Sequence, residues 1–271
     1  MNLSKFKKWI YIRLEYRLIK MLIKVIFLLK FTDEIIQSQR ENLSSRVYKN
    51  YQGVVAFGLF QGLKLNAYTA WSGNKDTGSK ILGLYENQIL DWFQNKYFDL
   101  FIDIGAADGY YAVGLLISKK VERAITFEIS NSDIEISKSL AIANGVFDKI
   151  DFRGKATEDE ITLILPQSQN GLILMDIEGG EFELVSENLL KLAKNYSFFI
   201  ELHEFFDTDL ERDFIELCCK FHDVEIIYGF NRNFPIDQFL LRLSDNDRAL
   251  LLSEGRPNGM KWLVLSPRLL D

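Results

Sequence analysis

The sequence is poor in residues that staple, ligate or break a chain. Its two cysteines are the neighbours Cys218 and Cys219. Adjacent cysteines do not readily bridge each other, so no disulfide framework is expected. A reducing, cytoplasmic setting follows. The two histidines, His203 and His222, form no Cys/His cluster with zinc spacing, and no bound metal is expected. Four prolines leave no Pro-rich linker, and there is no internal repeat or low-complexity tract. An uninterrupted apolar run of about 20 residues, the length of a membrane span, is also missing.

Net positive charge is confined to one segment. The net charge is −6. Residues 1–31 carry Lys5, Lys7, Lys8, Arg13, Arg17, Lys20, Lys24 and Lys30 against Glu15, which is +7 and leaves −13 for the rest. An acidic body argues against nucleic-acid partners, which need cationic surface for phosphates. The basic segment has helical periodicity. Arg13, Arg17, Lys20 and Lys24 fall in one narrow stripe, and Ile10, Leu14, Leu18, Met21, Val25 and Leu29 fall on a broad apolar face. No small-residue cleavage site follows, as a secretory signal would require. Two readings stand: a helix lying on an anionic membrane, at the inner surface, or one packed on the domain or on a partner subunit.

What is present suits one large domain with an extension: 271 residues, 48% of them hydrophobic. The expected divisions are 1–31, the basic amphipathic helix; 32–95, an N-terminal extension; and 96–271, the main domain. In the extension, "VVAFGLFQGLKLN" predicts a hairpin around Gln61 and Gly62, 71–80 predicts a loop, and 82–94 an amphipathic helix. From Lys96, strands and helices alternate. Strands are expected at 98–104, 124–128, 149–153, 171–176, 197–202, 223–229 and 261–266. Helices are expected around 110–119, 132–144, 157–165, 181–194 and 208–221. Apolar strands such as "DLFIDI" and "GLILMD" predict an α/β fold, a doubly wound and mostly parallel sheet covered by helices.

Four stretches put chemistry at the carboxyl edge of that sheet, where open α/β folds bind ligands. The first is "FIDIGAADGYY". A dinucleotide turn wants small residues at three places, and here they are Gly105, Ala107 and Tyr110. Tyrosine would crowd helix against strand, and Asp108 would repel a diphosphate. A cationic, phosphate-free ligand such as S-adenosylmethionine reverses that objection. Asp103 would pair with its ammonium, Gly105 would allow close approach, and Asp108 would add negative potential or cap the helix. The second is "AITFEIS", where Glu128 would accept hydrogen bonds from ribose hydroxyls. The third is "LILMDIEGGEFELV", bringing Asp176 and Glu178 to the same edge, with Glu181 and Glu183 as first-turn helix acids. The fourth is "FFIELHEFF", with Glu201, His203 and Glu204. So many acids at one edge need a cation or a proton for relief.

Together these stretches resemble the class I S-adenosylmethionine-dependent methyltransferases, and within them the FkbM-like branch, over about Lys96–Pro267. The resemblance implies a Rossmann-like seven-stranded sheet whose last strand, "KWLVLSP", is antiparallel. It implies S-adenosyl-L-methionine as cofactor, held by Asp103, Gly105, Ala106, Ala107 and Asp108 at the methionine part. Glu128 would hold the ribose, Ile129 would pack on adenine, and Ala156 would lie where the family meets adenine. Beside Ala156 the usual acid is missing. The implied activity is O-methylation of a hydroxyl on a sugar, glycan or other small-molecule acceptor. Asp176 would form the floor between cofactor and acceptor. Asp176, Glu178 and His203 are the candidates for the catalytic base. A metal at these three has no dedicated ligand spacing behind it. The rivals are an NAD- or nucleotide-dependent oxidoreductase and a non-catalytic member that only binds the cofactor. Arg232, Arg242 and Arg256 would meet an anionic acceptor or simply be solvated.

Overall fold

The computed structural model describes residues 3–66, 75–203, 208–228, 235–253 and 261–268. Its elements in chain order are α1 (Leu3–Tyr51), α2 (Thr77–Ile81), α3 (Asn87–Trp92), β1 (Phe98–Ile104), α4 (Tyr110–Ile117), β2 (Val121–Phe127), α5 (Asn131–Ala143) and β3 (Ile150–Arg153). Then come α6 (Glu158–Ile164), β4 (Gly171–Met175), α7 (Glu181–Leu184), α8 (Glu187–Leu192), β5 (Ser197–Leu202), α9 (Thr208–Cys218), β6 (His222–Tyr228), α10 (Asp245–Leu252) and β7 (Lys261–Pro267).

The seven strands form one sheet in the order β3-β2-β1-β4-β5-β7-β6. Pairings from β3 through β5 are parallel, and β7 runs antiparallel to both β5 and β6. This is the doubly wound, mostly parallel seven-stranded sheet expected, with its last strand antiparallel. The strand order reverses between β1 and β4, which makes a crevice at their carboxyl ends. Central strands are buried on both faces, as their unbroken apolar runs require. Alternate residues feed two separate cores. Leu100, Ile102, Ile173, Phe198 and Leu263 pack against Ile161, Leu189 and Phe214 of α6, α8 and α9. Phe101, Leu172, Phe199 and Val264 pack on the other face with Tyr110, Val113 and Leu140 of α4 and α5.

The second core also contains Leu43, Val47, Phe60, Ile81, Ile89 and Phe93. The described parts of residues 40–93 therefore complete one helical layer of the main domain. α1 is a single helix of 49 residues that runs through position 31 without a break. Leu43 and Val47 are buried on it, and Arg40 reaches across to Asp76 at 2.7 Å.

Several local expectations are corrected. No two-stranded hairpin turns at Gln61 and Gly62. Val54 and Lys64 form an isolated antiparallel bridge, and the chain reverses over the residues between Val55 and Gly62. Within the expected loop 71–80, residues 77–80 belong to α2, whose residues are all buried against the core; 71–74 lie outside the described residues. The helix expected over 82–94 shrinks to α3. The helix over 181–194 splits into α7 and α8 because Val185 is extended and Ser186 caps a new start, accepting from the Leu189 amide. α10 was not anticipated. Cys218 is buried and Cys219 exposed, and both are free thiols.

Candidate functional site

The carboxyl ends of β1, β2, β4 and β5 carry the groups singled out in the sequence. Asp103, one residue before the end of β1, is 1% exposed. Neither of its carboxylate oxygens has a hydrogen-bond partner of ordinary geometry, although the Ala112 amide lies near enough to favour the charged form. Burial, then the charges of Asp176, Glu128 and Asp108, push its carboxyl group up to about 8. A buried acid with empty lone pairs, surrounded by other acids, fits a cationic ligand group.

The turn after β1 is already knitted to the protein. The amides of Gly105 and Ala106 both donate to the Phe127 carbonyl, at 2.9 and 3.1 Å. The Ala107 amide donates to Glu128 Oε2, and the Ser130 amide to Glu128 Oε1, each at 2.9 Å. Three of the amides expected to face a methionine group are thus turned to β2. Glu128 is 8% exposed and keeps acceptor capacity on both oxygens beyond these bonds. Ile129, immediately after it, is 78% exposed and offers an apolar surface at the expected adenine position. Ala156 lies beyond β3, the neighbour of β2, and is half-buried. Replacing Glu128 with alanine is expected to weaken S-adenosylhomocysteine binding by about 1–3 kcal/mol, the scale of hydrogen bonds to a charged group. Calorimetry measures it, and unchanged affinity would remove Glu128 from the site.

Gly105 also makes room inside the protein. Its φ is +85°, and a Cβ there would stand 1.9 Å from the Asp176 carbonyl oxygen. The close approach is to the protein's own β4 end.

Asp108 takes the capping role, accepting from the first amide of α4, while the expectation for Tyr110 is corrected. Asp108 is paired with Lys80 of α2 at 2.9 Å, both side chains nearly buried, and it accepts from the Tyr110 amide. Its charge is used inside the fold. Tyr110 does not crowd the strand; its ring packs edge-on against Phe60 and Tyr85 from the N-terminal segment. Lys80 was missed by sequence reasoning, because nothing in its local spacing marks it.

The β4 and β5 ends converge on His203. Its Nε2 lies 3.5 Å from Asp176 Oδ1, 3.4 Å from Glu178 Oε2 and 4.0 Å from Glu201 Oε2. Its Nδ1 lies 3.4 Å from Glu181 Oε1. Burial pulls the imidazole down, but Glu181, Asp176 and Glu178 outweigh it and the net shift is upward. Loss of surrounding water pushes the Asp176 carboxyl up; His203 opposes, while Glu178 and Glu181 add to the rise. Glu181 is fully buried, and its Oε1 accepts from the Ile177 amide at 2.8 Å. It is therefore a member of the cluster and not simply a helix-end acid, while Glu183 is exposed. The tight "DIEGGE" turn, with Glu178 at φ +53° and Gly179 at +100°, folds Glu181 back beneath Asp176. Asp176, Glu178 and His203 each offer one ligand-type atom, all within 4.8 Å of one another. Glu204, Arg232 and Arg256 lie outside the described residues, and Arg242 ends a short 3₁₀ turn.

No family model matches the chain, and no curated protein matches it. Solved structures of similar fold do match. One is a precorrin 8w decarboxylase from Methanobacterium thermoautotrophicum, at 13% identity over 66% of this chain and 87% of that one, with a TM-score of 0.42. Another is a putative tRNA (m1A22) methyltransferase from Streptococcus pneumoniae in complex with S-adenosyl-L-methionine, at 14%, 68% and 74%, with a TM-score of 0.43. A third is the O-methyltransferase from Bacillus cereus in complex with SAH, at 12%, 68% and 80%, with a TM-score of 0.42. At such distances the strand order carries the fold, and the chemistry rests on this chain's own residues.

Proposed function

We propose that this chain is an S-adenosylmethionine-dependent methyltransferase of the FkbM-like kind, acting on a hydroxyl of a sugar, glycan or other small molecule. The observation that carries the reading is Asp103: a buried carboxylate at the reversal point of the sheet, with no hydrogen-bond partner of ordinary geometry among the described residues. S-adenosylmethionine supplies an electrophilic methyl group on a sulfonium and brings a positively charged ammonium. Asp103 meets the ammonium, Glu128 holds the ribose, and Ile129 lies against adenine. Asp103 would repel a pyrophosphate, which speaks against the oxidoreductase reading. The acidic body outside residues 1–31 disfavours a nucleic-acid acceptor.

Asp176 and Glu178 form the floor beside the acceptor, and His203 is the group that takes the hydroxyl proton. Glu181 holds the Nδ1 side of the ring, which leaves Nε2 facing the two open carboxylates. Positioning supplies much of such a reaction, and the base adds to it. His203→Gln is expected to lower kcat on a sugar or lipid-linked glycan acceptor by about a hundredfold, leaving S-adenosylhomocysteine affinity intact. A variant with unchanged turnover assigns His203 a structural role. The spacing of Asp176, Glu178 and His203 also favours a second reading, in which they share a divalent ion. Turnover that survives chelation and dialysis supports the base; turnover restored only by added Mg²⁺ or Mn²⁺ supports the ion. Cofactor binding without methyl transfer to any sugar or lipid-linked glycan acceptor supports a non-catalytic member.

A further inference from the structure

We infer that the N-terminal half of α1 is a docking surface for an anionic membrane. Among the described residues, α1 meets the domain from Gln39, which donates to Asp247, and Arg40, Leu43, Ser44 and Val47 are buried on it. Ahead of that point, Leu18, Ile19, Met21, Leu22 and Val25 are 45–61% exposed on the same continuous helix. They stand ~20–30 Å along its axis from Arg40. Ile35 and Ile36, nearer the domain, are 49% and 44% exposed. Such an apolar surface calls for an occupant.

The charge pattern identifies it. Residues 1–31 hold eight Lys or Arg against Glu15, and no acid stands between Tyr16 and Thr32. At about 100° per residue, the sequence assigns Arg13, Arg17, Lys20 and Lys24 to one sector of about 60°, and the other residues of 18–29 are apolar. A second copy of the helix would bring like charge toward like charge. A lipid surface with anionic headgroups neutralises the stripe and accepts the broad apolar face. Among the described residues no helix is long and apolar enough to cross a membrane, so the helix lies in the interface. This inference is independent of the methyltransferase reading.

The test is flotation of the full chain with vesicles of phosphatidylcholine plus phosphatidylglycerol, and with phosphatidylcholine alone. Strong flotation with the anionic vesicles is expected, weakened by salt. Charge reversal at two exposed positions, Lys20→Glu with Lys24→Glu, should cut it at least about tenfold, as should Leu22→Asp. These substitutions lie far from the domain, so its melting temperature and its S-adenosylhomocysteine binding serve as folding controls. No flotation with either vesicle, equal flotation of the charge-reversed variant, or a helix-dependent dimer that excludes vesicles overturns the inference.

Discussion

Replacing Asp103 with asparagine is expected to stabilise the ligand-free protein and, in the same variant, to weaken cofactor binding. The carboxyl group is raised from 3.8 to about 8 in the folded chain, chiefly by burial. The folded state therefore holds this proton more tightly than the unfolded state does. Its favourable contribution is complete below about pH 4 and is lost as pH rises toward 8. At pH 7 the folded chain holds the group mostly protonated, which costs it at most about 4 kcal/mol of stability relative to pH below about 4, and asparagine removes that cost. The melting-temperature gain of the variant should thus grow between pH 4 and pH 8. The opposite sign applies to binding. Without the carboxylate, the cofactor ammonium loses the buried acid of β1 and keeps only the more distant charges of Glu128 and Asp176. A loss of about 2–4 kcal/mol is expected, roughly thirtyfold to a thousandfold in Kd. A variant less stable than the parent at pH 8 would show that Asp103 is satisfied by the fold itself.

The second large effect is expected at Lys80. Its ammonium pairs with Asp108 and lies 5.1 and 4.9 Å from the ring centroids of Tyr85 and Tyr110. Lys80→Met keeps the volume but strands a nearly buried carboxylate. Removing one partner of such a pair costs about 3–5 kcal/mol. Asp108→Asn in the Lys80→Met background should recover most of the loss, because the stranded charge disappears. Urea unfolding of the two single variants and the double variant gives the coupling. A Lys80→Met cost below about 1 kcal/mol would mean that water reaches Asp108 and the pair is a surface one. This contact also locks the N-terminal segment to the turn after β1, so the same variant should loosen cofactor binding.

The sheet was legible because its strands are apolar without interruption and end in acids. Asp103, Glu128, Asp176 and His203 each stand at or just beyond the end of such a run, and the parallel topology carries all four to one edge. Contacts made across the chain were not legible. Lys80 sits in a polar stretch, and only the packing of α2 beneath α1 brings it to Asp108, 28 residues away. Glu181 looked like an ordinary helix-end acid, because the backbone reversal at Glu178 and Gly179 that folds it inward depends on positive φ angles. Gly105 was read as making room for a ligand, and that it also admits the Asp176 carbonyl was not legible. Tyr110 seemed to obstruct the helix, yet its ring is received by Phe60 and Tyr85 from a segment whose packing no local pattern reveals.

The most direct test of the cofactor site is calorimetric titration of the full chain with S-adenosylhomocysteine and, in parallel, with NADH, repeated for Asp103→Asn. The expected result is binding of S-adenosylhomocysteine that the substitution weakens, and no binding of NADH. Binding of NADH alone, or S-adenosylhomocysteine affinity that Asp103→Asn leaves unchanged, would contradict it.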